Sequence, residues 1–209
     1  MTTFIRSVIA SFIRLFTGVH TMHGAELPRL PFIVIANHSS HLDTMVIWAA
    51  LPPLIRDRIR PAGAADYWLT TRVRTWFFLT ILNGIAIERQ NVSRSNNPID
   101  VLANVLKNGD GVLIFPEGTR SRDGMLQPFK SGVFHLARSL EDAVPIVPIG
   151  LVNLQRIMPK GEVVPIPLLC TLRLGPVITI ASDESKTDFL HRCQSTIQNM
   201  ISKDENVSQ

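Results

Sequence analysis

A chain of 209 residues with 45% apolar and only 18% charged side chains is too hydrophobic to be a disordered segment, and it is long enough to bury one good core. Its mean hydropathy of +0.19 is high for a freely soluble protein and points to contact with lipid. A formal charge of +4 and a pI near 9.5 suit an anionic partner, either a membrane or a nucleic acid.

From residue 3 to residue 16, apolar side chains recur at Phe4, Ile5, Val8, Ile9, Phe12, Ile13 and Phe16, a helical stripe whose only charges are Arg6 and Arg14. A membrane-spanning helix needs about 20 mostly apolar residues, and the arginines argue against one. Arg14 also interrupts the apolar run that a cleaved signal peptide requires. The spacing suits a helix lying in the membrane interface with its arginines near anionic headgroups. It also suits an amphipathic helix packed on the core. The expected division is an N-terminal membrane-associating helix over 1–20 and one folded domain over 21–209.

Residues 20–30, with Gly24 and Pro28, read as a linker. Residues 31–36 read as a strand. The following helix is expected to start near His38 or Ser39, to turn Leu42, Met45, Val46 and Trp48 inward, and to end at Pro52-Pro53. Residues 66–80 read as one helix whose aromatics Trp68, Trp76, Phe77 and Phe78 suit core packing, with Arg72 and Arg74 flanking a face open to lipid. A short strand is expected over 85–87. A helix follows from Asn96-Asn97-Pro98 to Lys107, closed by Asn108-Gly109. Further elements are a strand over 111–115, a helix over 131–139, strands over 144–152, 169–174 and 177–180, and an amphipathic helix over 186–202. Strands alternating with helices specify an α/β fold, a central mostly parallel or mixed β-sheet flanked by helices. Cys170 and Cys193 are too few and too far apart for a metal motif or a disulfide framework, and read as ordinary reduced thiols in a cytosolic setting.

Two polar strings end two of the apolar strands. Asn37-His38-Ser39-Ser40-His41-Leu42-Asp43 follows the first, and Phe115-Pro116-Glu117-Gly118-Thr119-Arg120 closes the second. Neutral histidine is the usual base near pH 7, its unperturbed pKa being about 6.5. A carboxylate on the far ring nitrogen fixes the tautomer and stabilises the imidazolium. Asp43 reaches His38 if the chain turns into a helix after it. In the second string, Gly118 allows close backbone approach, Thr119 offers a hydroxyl, and Arg120 offers a planar fork for phosphate. A base and an anion site at two strand ends fit acyl transfer from a thioester to a hydroxyl of a phosphate-bearing acceptor. The H-x-x-H-x-D pattern of His38, His41 and Asp43 leaves a metal-dependent hydrolase as an alternative. A zinc site would want more ligands at defined spacing, and His41 reads instead as a polar spacer.

Together with Gly84-Ile85-Ala86-Ile87-Glu88-Arg89 and Val144-Pro145-Ile146-Val147-Pro148-Ile149-Gly150, these strings resemble, in order, the four motifs of the glycerolipid acyltransferase family, of the type that makes phosphatidic acid from lysophosphatidic acid. The likeness runs over residues 20 to 180. It implies that His38 is the general base and Asp43 its orienting carboxylate. It implies that Glu117, Gly118, Thr119 and Arg120 bind the acceptor's glycerol phosphate, with Arg89 as a second phosphate ligand and Lys130 as a helper. The implied donor is acyl-CoA or acyl-carrier protein, and the implied acceptor is 1-acylglycerol-3-phosphate. No metal and no bound organic cofactor are expected. The expected partner is a membrane phospholipid surface, not nucleic acid, at the cytoplasmic face of the inner or plasma membrane, and residues 21–209 form the acyltransferase domain. The second motif departs from its common form, with Ala86 where an aromatic is frequent and Glu88 before the arginine. That departure keeps a different lyso-lipid open as acceptor.

Overall fold

The computed structural model describes residues 2–88, 97–121, 123–154 and 170–202. Its strands are β1 (His20–His23), β2 (Ile33–Ala36), β3 (Ile59–Ala64), β4 (Ile85–Ile87), β5 (Gly111–Ile114), β6 (Ile146–Val152) and β7 (Thr171–Leu174), joined in the order β1-β7-β6-β2-β5-β3-β4. Every neighbouring pair is parallel except β6 with β7. The helices are α1 (Thr2–Thr17), α2 (Asp43–Ala50), α3 (Pro53–Arg56), α4 (Ala65–Trp68), α5 (Arg72–Trp76), α6 (Pro98–Lys107), α7 (Gly132–Arg138) and α8 (Lys186–Ser202), with a π-helical turn over Phe77–Ile81.

Period-two alternation in and around β2 explains the layering. Phe32, Val34 and Ala36 face one side of the sheet, Ile33 and Ile35 the other, and all five are buried. The first side packs against Val46, Ile47 and Trp48 of α2 and Ala10 and Ile13 of α1. The second packs against Leu106 of α6, Leu136 of α7, and Phe189, Cys193 and Ile197 of α8. A mostly parallel sheet needs both faces covered, and here both are. Cys170 and Cys193 are free and buried, and burial pushes both thiols up to about 12, so they serve as small apolar groups.

Four local expectations are corrected. Residues 20–23, expected in a linker, form β1, because the distant β7 supplies their hydrogen-bond partners. Residues 59–64, where no element was expected, form β3. Their Pro61, Gly63 and alanines are poor strand formers, and flanking by β5 and β4 overrides that preference. The single helix expected over 66–80 breaks into α4, α5 and the π turn, because Thr71 caps the backbone N–H of Arg74 and restarts the helix. The strand expected over 177–180 is reduced to one bridge between Ile178 and Ile146. The end of the strand expected over 169–174 that includes Leu169 lies outside the described residues.

The apolar stripe of α1 divides between two environments. Ile5, Ile9, Ala10 and Ile13 pack on the core, while Phe4, Phe12 and Leu15 are 73%, 64% and 85% exposed. Its arginines do not point to headgroups as expected. Arg14 donates to the carbonyls of Ala49 and Leu51 at the C-terminal end of α2, where a cation meets the negative end of the helix dipole. Arg6 donates to the Thr80 carbonyl and pairs with Asp57. Both guanidiniums therefore clamp α1 to the domain and leave an apolar outer face. Among the described residues, no helix is long and apolar enough to cross a membrane.

Candidate active site

The end of β2 is pinned before the chain turns away from the sheet. The Asn37 side chain donates to the Leu151 carbonyl at 3.0 Å and accepts from the Leu151 N–H at 2.7 Å, joining β2 to β6. His38 comes next. The expected helix start at His38 or Ser39 is corrected: α2 begins at Asp43, and residues 38–42 wrap around its carboxylate. Asp43 has no solvent exposure, and its Oδ2 accepts from His38 Nδ1–H at 2.7 Å and from the Ser39 and Ser40 backbone N–H groups at 2.7 and 2.8 Å. Three donors on Oδ2 and the positive end of α2 offset part of the desolvation of this charge, while Oδ1 is buried with no hydrogen-bond partner among the described residues. With Nδ1 donating to Asp43, the lone pair of His38 is on Nε2. The ring stacks on Phe115 at a centroid distance of 4.1 Å, which fixes its plane.

Glu117 ties this loop to the end of β5. Its Oε1 accepts from the His38 backbone N–H at 2.6 Å and its Oε2 from the Gln127 N–H at 2.9 Å. The side chain is 2% exposed; burial raises its pKa, and the two backbone donors pull the other way. Glu117, expected to contact substrate, therefore sits beneath the site and holds two loops in register. Gly118 follows with φ of +69°, a left-handed conformation that favours glycine, and a Cβ there would lie 2.8 Å from Lys130 Nζ. Lys130 thus crosses over Gly118, with its backbone N–H bonded to the Pro116 carbonyl.

A cavity of about 410 Å³ opens at the carboxyl ends of the parallel strands, where α/β sheets commonly bind ligands. His38, His41, Tyr67, Gly118, Thr119 and Arg120 line its polar part. Ala64, Trp68, Ile87, Leu102 and Phe115 line its apolar part. The structure thus brings together His38, Asp43, Glu117, Gly118, Thr119, Arg120 and Lys130. Arg89 lies outside the described residues.

His41 takes partners other than His38 and Asp43. Its Nδ1 lies 2.9 Å from the Tyr67 hydroxyl, and the Arg120 guanidinium rests against its ring. Burial, then the neighbouring Arg120, lowers its pKa, which favours the neutral ring that can accept from Arg120. The H-x-x-H-x-D string therefore does not converge on one point. Among the described residues, no three His, Cys, Asp or Glu side chains are grouped to hold a metal ion. Tyr67, the only tyrosine in the chain, is a site residue that the sequence reading passed over. Its signal was its place just after a strand, and that strand, β3, was itself missed.

Residues 19–152 match the family model described as Acyltransferase, and the chain belongs to that family. Human 1-acyl-sn-glycerol-3-phosphate acyltransferase alpha is 33% identical over 140 residues, covering 65% of this chain and 45% of the human protein. The 1-acyl-sn-glycerol-3-phosphate acyltransferase of Cocos nucifera is 30% identical over 168 residues, covering 79% of this chain and 52% of its own. The chain thus spans about half the length of these relatives. The fold is similar to that of the crystal structure of the 1-acyl-sn-glycerophosphate acyltransferase PlsC from Thermotoga maritima, with a TM-score of 0.73 over 98% of this chain and 81% of that one, at 21% identity.

Glu117→Gln turns one acceptor oxygen into a donor facing a backbone N–H. A loss of about 1–3 kcal/mol in stability is expected, read as a lower urea midpoint with an unchanged slope. An unchanged midpoint would show that the two loops do not depend on this carboxylate.

Proposed function

We propose that the chain transfers a fatty acyl group from the thioester of acyl-CoA or acyl-carrier protein to the free hydroxyl of 1-acylglycerol-3-phosphate, giving phosphatidic acid. The observation that carries this reading is that His38 is held through Nδ1 by a buried carboxylate while its ring lines a cavity shared with Arg120. Membership of the acyltransferase family and the names of the relatives support it.

In the reaction, His38 Nε2 takes the acceptor's hydroxyl proton as the oxygen attacks the thioester carbonyl. Asp43 stabilises the imidazolium that forms. The tetrahedral intermediate collapses, the C–S bond breaks, and the leaving thiolate takes the proton back from His38. No acyl-enzyme is needed, and the scheme requires no resident metal or organic cofactor. Arg120 receives the acceptor's phosphate, assisted by Arg89 and Lys130. The apolar part of the cavity receives hydrocarbon.

The outer face of α1 supplies the membrane contact, at the cytoplasmic face of the inner or plasma membrane. Burying a large apolar side chain contributes up to about 1.5–3 kcal/mol, so the largely exposed Phe4, Phe12 and Leu15 together favour interfacial binding.

The first test is transfer by purified protein and by His38→Ala, with acyl-CoA and acyl-carrier protein as donors and a panel of lyso-lipids as acceptors. Transfer to lysophosphatidate is expected to fall by about 10²–10⁴-fold in the variant. Full activity in His38→Ala would overturn the mechanism, and transfer only to another lyso-lipid would overturn the acceptor. The second test is flotation with anionic phospholipid vesicles. Phe12→Glu is expected to reduce flotation at unchanged melting temperature, and equal flotation would remove α1 as the docking element.

A further inference from the structure

Tyr67 gathers two cations that no described carboxylate neutralises. The Cζ of Arg120 lies 5.4 Å and the Cζ of Arg74 5.0 Å from the centroid of its ring. Such contacts between a guanidinium and an aromatic face are attractive, but they leave both charges in place. Among the described residues, neither arginine has a carboxylate within ion-pair distance. Asp66 lines the same cavity and makes no ion pair with either. Arg74 is exposed, and local contacts hold it at the ring. Its backbone N–H is capped by Thr71 Oγ1 at 3.3 Å, and its Nη1 donates to Thr70 Oγ1 at 3.3 Å. Arg120 and Tyr67 line the cavity that holds the base, and Arg74, exposed, lies on the same ring just outside that lining, so the ring gathers two cations for a dianion entering there.

We propose that Arg74 and Arg120, spaced by Tyr67, clamp the phosphate monoester of the acyl acceptor, so that Arg74 is a specificity-determining residue for acceptors carrying that group. The proposal rests on the acyl-transfer reading above and adds to it a cation from a different element. Its position suits an amphiphile. Arg74 stands on α5 between Val73 and Trp76, which are 75% and 50% exposed. A headgroup reaching Arg74 therefore leaves its chain beside apolar surface. His41 acts behind the clamp as a positioning residue, holding Arg120 through its ring.

An acyl donor also carries phosphate, and the test separates the two sources. Transfer is measured with a short-chain 1-acylglycerol 3-phosphate kept monomeric in solution, and with the phosphocholine diester of the same chain. The proteins are the parent chain, Arg74→Gln and Arg74→Lys, each checked for folding by circular dichroism. Arg74→Gln is expected to raise the KM for the monoester about tenfold, the worth of one charge-assisted hydrogen bond. Its kcat should stay within about twofold of the parent, its donor KM should not change, and its preference for monoester over diester should shrink. Arg74→Lys should restore most of the lost affinity. A rise in donor KM instead would place the donor's phosphate at Arg74 and overturn the proposal, as would kinetics equal to the parent's on both acceptors. If the parent itself transfers nothing to the monoester, the acyl-transfer reading fails and the clamp falls with it; if only Arg74→Gln is silent, the clamp alone fails.

Discussion

A carboxylate with no access to solvent organises the active end of this molecule. Asp43 must find donors for its charge or its burial would cost several kcal/mol. It finds them in the Ser39 and Ser40 backbone N–H groups and in His38 Nδ1. Those three bonds shape the loop between β2 and α2, delay the start of α2 until Asp43 itself, and leave the histidine with one committed nitrogen and one free. The base and its orientation are thus consequences of the donors that one oxygen of a buried carboxylate gathers.

The rest of the site is fastened to that loop. Glu117 carries the register of the His38 loop across to the Gly118 turn at the end of β5 by accepting from the backbone of both sides. Asn37 carries it across to β6. Because β2 lies between β5 and β6, these two polar side chains lock three strand ends together, and the cavity walls are set by the sheet. The same economy appears in α1, where arginines fixed to carbonyls of the domain free one helical face to remain apolar and exposed.

Legibility in the sequence followed the range of the interactions involved. His38 and Asp43 were readable because a five-residue spacing across one turn is a local constraint. The apolar strands β2, β5 and β6 were readable because buried parallel strands are continuous runs of Val and Ile. β3 was not readable, since Pro61 and Gly63 make strand only when β5 and β4 flank them, and with β3 went Tyr67 and the environment of Arg74. β1 depends on β7, about 150 residues away. The helix over 66–80 was half readable: its apolar spacing was correct, but the Thr70-Thr71 pair that interrupts it acts through a side-chain cap and not through periodicity. For Glu117 the motif was visible and its use was not, because the partner N–H groups of His38 and Gln127 come together only in three dimensions.

The measurement that bears most directly on the central claim is the imidazole ¹⁵N spectrum of His38 in the folded protein, assigned by comparison with His38→Ala. If Asp43 holds the ring as described, the neutral residue carries its proton on Nδ1, and Nε2 shows the shift of an unprotonated nitrogen. Asp43→Asn should erase that preference. A neutral His38 protonated on Nε2 in the parent protein would contradict the account, because the nitrogen assigned to accept the acceptor's proton would already hold one.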